Sequence, residues 1–334
     1  MKVLLVKPKY IGDTLLLTAA ARAVKSALPD AEIHAAVRDG TEGILAGSPD
    51  IARIHTLARP KEHGRTSAGL GRDLAVVRRL REERYDVAVE LSDADRGRFV
   101  TLLSGARRRV ANRHPVHMRS AFWRALFSGT RAIDNRMTPR VAWDQAIALD
   151  ALGLPPAAPV PPVFARERAD FAFAEAAACR RPALFVHPAA SLPLNMWPAE
   201  KWSETLRTLS RDHAIFLSCG PSASEIAYVE AILNGLPDRS AVRFTGGKLS
   251  WPAMAGTLYS SCAYLGADTA AMHLASACGL PIAGIFGRDA REHLAQWTAP
   301  GRTVAVTRHA GETDIAAIPV GRVLAAVETL FSLP

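Results

Sequence analysis

Asp13 is the first residue in the chain placed to do proton chemistry. It stands between a short unbroken apolar run at residues 3–6 and a stretch whose apolar residues, Leu16, Leu17, Ala20, Ala23, Val24 and Leu28, fall on one helical face. The connecting KPKYIGD carries Lys7, Gly12 for a tight bend, and Asp13 at the expected helix N-cap. Two roles are open to Asp13: capping the helix amides, or taking a proton from a hydroxyl bound above the sheet edge. Local sequence does not separate them.

A second set of residues suits phosphate. In YLGADTAAMHLASACGLPIAGIFG, residues 264–287, Asp268 and Thr269 end a strand and open a helix at Ala270. The free amides of that helix make an anion site, and His273 lies one turn beyond Thr269 on the same face. The small residues of HPAASLPLNMW, residues 187–197, let backbone amides come close to a phosphate. In SCGPSASE, Glu225 opens a helix, where it either accepts from ribose hydroxyls or is a first-turn acid favoured by the dipole. ELSDADRGR puts Ser92, Asp93, Asp95 and Arg96 just after a strand, with Asp95 either capping the next helix or meeting a ligand.

Positioning these groups takes alternating strands and helices. In the first half, AEIHAAV, ARIHTL, YDVAVEL and RRRVAN alternate with helical stretches at 41–46, 70–83 and 98–103, and helices at 118–127 and 142–152 follow. The basic, glycine-rich segment 59–72 lacks periodicity and reads as a loop near the sheet edge. A proline-rich stretch then interrupts the pattern, which sets an N-terminal domain at 1–153, a linker at 154–165 and a C-terminal domain at 166–334. The second half starts with a helix at 166–178. It offers strands in ALFVHP, AIFLSCG, AVRFTG, CAYLGAD and PIAGIFG, with helices at 198–210, 224–233, 251–260 and 270–278, and an amphipathic helix at 320–331 that is free to return to the first domain. The expectation is α/β: two Rossmann-like doubly wound parallel-sheet domains facing a cleft, with ligands at the carboxyl edges.

Composition narrows the class. A chain of 334 residues, 49% apolar, with no apolar run near the roughly 18 residues of a membrane span, is expected to be a cytoplasmic two-domain protein. Its four cysteines have no CxxC spacing and fit reduced core residues. The net charge of +9 is concentrated: residues 52–140 hold 20 Lys+Arg against 9 Asp+Glu. Such a surface suits an anionic partner, and with few aromatics interleaved and no nucleic-acid module, nucleic acid is disfavoured. No strand is followed by GxGxxG, which disfavours a dinucleotide dehydrogenase.

Four motifs in order, YIGDTLLLTAAARAVKSALPDAEI, ELSDADRG, HPAAS...MWPAEKW and GADTAAMHLASACGLPIAGIFG, resemble glycosyltransferase family 9, the lipopolysaccharide heptosyltransferases, most closely the heptosyltransferase III branch. The resemblance covers nearly the whole length. It implies a GT-B fold, ADP-heptose as donor, an inner-core saccharide on lipid A as acceptor, inversion at the anomeric carbon, and neither metal nor cofactor beyond the nucleotide sugar. Carried over, it makes Asp13 the base. Donor contacts are then expected at Ala189, Ala190, Ser191, Asn195, Glu225 and Leu249, and at Asp268, Thr269, Ala270, His273 and Arg288. Acceptor contacts are expected at Lys7, Gly12, Lys61, Arg65, Asp95 and Arg96, with peripheral contact at the inner membrane.

The sequence departs from the family in the donor half. Asn195 stands where a lysine usually precedes the Trp of the HP...W stretch, and Ala189 and Ala190 replace small hydroxyl-bearing or glycine residues. The last motif ends at Gly287, followed by Arg288 and Asp289, and Arg288 is expected to replace the missing positive charge. These changes leave two other readings: a transferase for a different nucleotide sugar, and a catalytically weak paralogue that binds glycolipid or nucleotide.

Overall fold

The computed structural model describes residues 1–59, 67–112, 120–129, 137–177, 181–288, 291–309 and 312–332. It divides into two compact units, Met1–Val163 and Phe164–Pro334. The first contains, in chain order, β1 (Lys2–Lys7), α1 (Ile11–Ala27), β2 (Glu32–Arg38), β3 (Arg53–Leu57), α2 (Ser67–Glu82), β4 (Val87–Glu90), α3 (Asp95–Leu103), β5 (Arg108–Ala111), α4 (Ala121–Leu126) and α5 (Arg140–Ala151). Its five strands pair in the order β3-β2-β1-β4-β5, all parallel. β1 is central, and Val3 to Val6 are wholly buried, which is why that stretch reads as continuous apolar sequence without alternation. α1 packs along α5.

The second unit holds α6 (Ala172–Ala176), β6 (Ala183–His187), α7 (Ala199–Leu209), β7 (Ala214–Leu217), α8 (Ala223–Asn234), β8 (Val242–Phe244), α9 (Trp251–Tyr259), β9 (Ala263–Ala267), α10 (Ala270–Ala277), β10 (Ile282–Ile285), α11 (Arg291–Trp297), β11 (Thr303–Val306) and α12 (Val320–Ser332). Its six parallel strands run β11-β10-β9-β6-β7-β8. In each sheet the strand order reverses beside the first strand of the unit, between β1 and β4 and between β6 and β9. Those reversals are the switch points at whose carboxyl ends open α/β sheets bind ligands.

Several expectations change. α1 begins at Ile11 with Tyr10 as its N-cap, so Asp13 is the third helical residue and not the cap, and Gly12 lies inside the helix instead of making a bend. The amide of Thr14 already donates to Tyr10 O at 3.0 Å, which fixes that start. The helix expected at 41–46 is a 3₁₀ turn, Glu42–Gly47, and the helix expected at 166–178 is a 3₁₀ turn, Arg166–Arg168, followed by α6. The chain between them stays extended at Ala169, and Asp170 N–H donates to Pro252 O at 2.9 Å. β11 and α11 went unread because each is short and weakly periodic.

The proline-rich segment is held down on the first unit. Gln145 donates to Ala157 O and Ala158 O and accepts from Val160 N–H, while Val163 N–H donates to Thr18 Oγ1 at 2.9 Å. α12 gives its apolar face to the second unit, where Val323, Ala326, Val327 and Leu330 join the core with Trp197 and Trp202. Its 3.6-residue apolar stripe packs there.

Candidate active site

At the first switch point, α1 leaves the carboxyl end of β1 and presents Asp13. The side chain is only 7% exposed, and its Oδ1 has no hydrogen-bond partner. Lys7, Asp144 and Arg38 all lie within its electrostatic reach. Asp13 therefore sits in the first turn, where the helix dipole favours a carboxylate, with one oxygen uncommitted. An uncommitted, buried acceptor oxygen is what a proton-abstracting group requires.

Lys7 was expected to contact an acceptor, and the structure corrects that. Its ammonium is fully buried and ion-paired with the equally buried Asp144 on α5. Burial pushes the Lys7 ammonium down and the Asp144 carboxyl up, and their mutual attraction opposes both shifts. Arg140, one turn before Asp144, stacks on Trp143 with its guanidinium carbon 3.4 Å from the ring centroid.

The β4 exit forms the other side of this switch point. Glu90 is buried; its carboxylate accepts from Ser92 N–H at 2.8 Å, from the Ser92 hydroxyl, and from Asp93 N–H at 3.2 Å. Burial first, then the nearby Asp93 charge, pushes Glu90 up to about 7. Asp93 adopts φ 52°, left-handed for a non-glycine residue, and Arg140 donates to Leu91 O at 3.1 Å beside it. A Cβ at Gly97 would run into Ser92 Oγ and the Glu90 carboxylate, so this turn closes only over glycine.

Asp95 is the exposed first residue of α3, after the Ala94 cap, and accepts from Arg98 at 2.9 Å. Arg96 Nη2 donates to both oxygens of Asp73 and to Ala58 O, tying the β3 exit, α2 and α3 together. Its Nε and Nη1 are buried without a hydrogen-bond partner. One cation escaped the sequence reading: Arg38 at the end of β2, whose charge and those of Arg96 and of Arg59, the first residue of the basic 59–72 segment, act on one another. Arg38 is an isolated arginine in sequence, and only parallel pairing brings it to this edge. Lys61 and Arg65 lie outside the described residues.

In the second unit the strand exits converge. After β6, Ala189 and Ala190 are buried, Ser191 is exposed, and Asn195 donates from Nδ2 to Asp268 O at 3.3 Å while its Oδ1 has no partner. A Cβ on Gly287, after β10, would meet Leu194 O and Asn195 Oδ1, so the β6 and β10 exits touch through a glycine. Thr269 caps α10 by backbone alone, its buried side chain lying against the Tyr264 hydroxyl, and Ala270 begins the helix. His273 is 4% exposed with Trp297 at 6.3 Å between ring centroids. Burial holds the neighbouring His187 neutral, down at about 4.

Glu225 is the third residue of α8: Ser222 Oγ accepts from Glu225 N–H, and Glu225 Oε2 accepts from Gly220 N–H at 2.8 Å, which ties the β7 exit to the helix start. The carboxylate oxygens keep further lone pairs. Gly247, at φ 68°, packs against Gly220 O, which brings the β8 exit and half-buried Leu249 beside the β7 exit. Arg288 is exposed just after Gly287. One residue here was missed: His293, whose Nε2 lies 3.0 Å from Asp268 Oδ2. It sits on the unread α11, so sequence offered no strand edge on which to place it.

The described residues also hold one group with metal-ligand spacing, His34, His55 and Glu83, with ligand atoms within 4.8 Å of one another. Both imidazoles share the Tyr85 hydroxyl, at 2.7 and 3.1 Å, and Glu83 is ion-paired with Lys2 and Arg53. The two imidazoles and Glu83 are thus tied into a hydrogen-bonded and ion-paired network with Tyr85, Lys2 and Arg53.

Two all-parallel α/β units, one with a buried acid at its switch point and the other with a helix start and small-residue turns at its own, are the architecture of GT-B proteins. Glycosyltransferase family 9 (heptosyltransferase) matches residues 74–314, and the chain belongs to that family. It is 25% identical to lipopolysaccharide heptosyltransferase 3 of Escherichia coli, covering 96% of this chain and 97% of that protein. Its fold is similar to that of the E. coli heptosyltransferase WaaC solved with ADP, at TM-score 0.82 and 17% identity over 99% of this chain and 100% of the other. The same enzyme solved with ADP-2-deoxy-2-fluoro heptose gives TM-score 0.81 at 18% identity, covering 98% and 99%.

Proposed function

We propose that the chain transfers a heptose from ADP-heptose to the inner core of lipopolysaccharide, with inversion and without a metal ion, at the cytoplasmic face of the inner membrane. The observation that carries this reading is Asp13, buried in the first turn of α1 with Oδ1 unpartnered. In the reaction Asp13 takes the proton of an acceptor hydroxyl as that oxygen bonds to the anomeric carbon. The bond from the anomeric carbon to the phosphate oxygen breaks, and ADP leaves with the electron pair.

The donor diphosphate is assigned to the α10 tip, with Thr269 Oγ1, the backbone amides near Ala270, Asn195 and His273 as donors and Arg288 as the cation that lysine supplies elsewhere in the family. Asp268, paired with His293, orients that tip. Glu225 and Leu249 are assigned to the nucleoside, and Ala189, Ala190 and Ser191 to the close backbone approach. On the acceptor side Arg38, Arg59 and Arg96 gather positive charge at the edge that carries Asp13, which suits phosphate or carboxylate groups of a saccharide core. Lys61 and Arg65 belong by sequence to the basic segment that begins at Arg59, and Asp95 is assigned to the acceptor with them.

Product analysis on truncated lipopolysaccharide acceptors tests this. ADP-heptose should yield one added heptose, while UDP- and GDP-sugars yield none. Turnover with another nucleotide sugar alone would replace the donor assignment. Binding without turnover in both wild type and Asp13→Asn would leave only a binding role.

A further inference from the structure

We propose that the outer surface of α3 and α4 docks this chain onto an anionic lipid bilayer. The proposal rests on the reading of the chain as an enzyme with a membrane-borne acceptor, and its test reads binding without sugar transfer.

The outward stripe of α3 is Asp95, Phe99 and Leu103, spaced four residues apart. A solvent-facing helical stripe is ordinarily polar. Here Phe99 is 46% and Leu103 41% exposed, and Phe122 on α4 is 59% exposed. They form one surface, because Trp123 packs edge-on against Phe99 at 4.8 Å and against Phe122 at 5.2 Å between ring centroids. Trp123 itself is rooted in a small core with Phe127 and Ala111, so the platform beneath the exposed rings is fixed.

Charge selects the partner. From residue 95 to residue 133 the sequence holds nine arginines against one acid, Asp95, which is paired with Arg98. Arg107, Arg108 and Arg124 are exposed in this segment, on the β5 start and on α4 itself. Exposed aromatic rings on α3 and α4, with exposed Arg124 on α4 itself and further exposed arginines in the same segment, match a bilayer interface, where rings enter the headgroup layer and guanidinium groups meet lipid phosphates. A second copy of the chain would bring the same arginines together and is opposed by their repulsion. Placement fits as well: α3 starts at the β4 carboxyl edge and Phe99 lies one turn from it, so a lipid-anchored saccharide would be presented on the side of the first unit that carries Asp13.

The test is cosedimentation of the full chain with phosphatidylcholine vesicles, with and without phosphatidylglycerol. Wild type should bind the phosphatidylglycerol vesicles, release with added salt, and leave pure phosphatidylcholine unbound. Phe99→Ser/Leu103→Ser/Phe122→Ser should lower partitioning about tenfold or more, with transfer to a water-soluble acceptor unchanged. Because that variant carries three substitutions, Arg107→Glu/Arg124→Glu provides a second arm outside any core, with a loss of about fivefold or more per arginine. Circular dichroism confirms that both fold.

The proposal is overturned if wild type ignores phosphatidylglycerol vesicles or if both variants bind as wild type does. Sedimentation of a dimer that dissociates in the aromatic variant would assign the surface to a second copy and overturn it. So would binding of a single-stranded RNA that depends on the arginines and outcompetes vesicles. Vesicle binding that survives while ADP-heptose transfer fails would reject the proposed reaction and leave the docking surface standing.

Discussion

Replacing Asp144 by Asn removes one charge from the Lys7–Asp144 pair and keeps the side-chain shape. Both groups are fully buried, Lys7 at the end of the central strand and Asp144 on the helix that packs on α1. Losing one partner of such a pair costs about 3–5 kcal/mol, because the ammonium keeps its desolvation penalty without its counter-charge. A domain is stable by about 5–15 kcal/mol, so the loss is a large fraction. Hydrogen exchange read peptide by peptide is the suitable assay, since it resolves the two units. Peptides from β1 and α5 should exchange faster by the corresponding factor, while β6 and β9 stay at wild-type protection.

The pH dependence has a defined sign. Burial holds Lys7 below its ordinary value of 10.5, so between its folded value and 10.5 the unfolded chain binds the extra proton and stability rises with pH. Without Asp144 that value falls further, and the Asp144→Asn deficit should shrink as pH rises toward 10.5. Lys7→Met/Asp144→Leu removes both charges and should return to within about 1–2 kcal/mol of wild type. An Asp144→Asn loss below about 1 kcal/mol, or a double variant less stable than either single one, would refute a paired, charged Lys7.

Further outcomes are expected. Asp13→Asn should lower turnover about 10²–10⁴-fold with little change in donor KM, measured by single-turnover sugar transfer. Arg288→Ala should weaken ADP binding about tenfold by calorimetry, and unchanged affinity would end its role as the replacement cation. Glu90, raised to about 7, holds a proton between pH 4.5 and 7 that the unfolded chain releases, so its contribution to stability is full below 4.5 and lost as pH rises through 7. Glu90→Gln should flatten that slope in melting temperature against pH.

Much of this protein was legible in its sequence because backbone periodicity and switch-point residues are local properties. The unbroken run before Lys7, the helical spacing after it, and the small-residue turns at Pro188 and Asp268 announce parallel α/β units with ligand edges, and four ordered motifs announce the family. What sequence left open depended on partners distant in the chain. Lys7 reads as a free cation until Asp144, 137 residues away, buries it, and Arg38, Arg59 and Arg96 share an edge only because β2, β3 and the β4 exit align in one sheet. Asp13 moved from cap to third helical residue because helix starts are set by backbone hydrogen bonds, here Thr14 to Tyr10, which side-chain preference predicts only to within a residue or two. His293 reached Asp268 only through the packing of α11. Local geometry is written in neighbouring residues, whereas charge pairing is written in the fold, since burial and proximity are fixed only when separate segments meet.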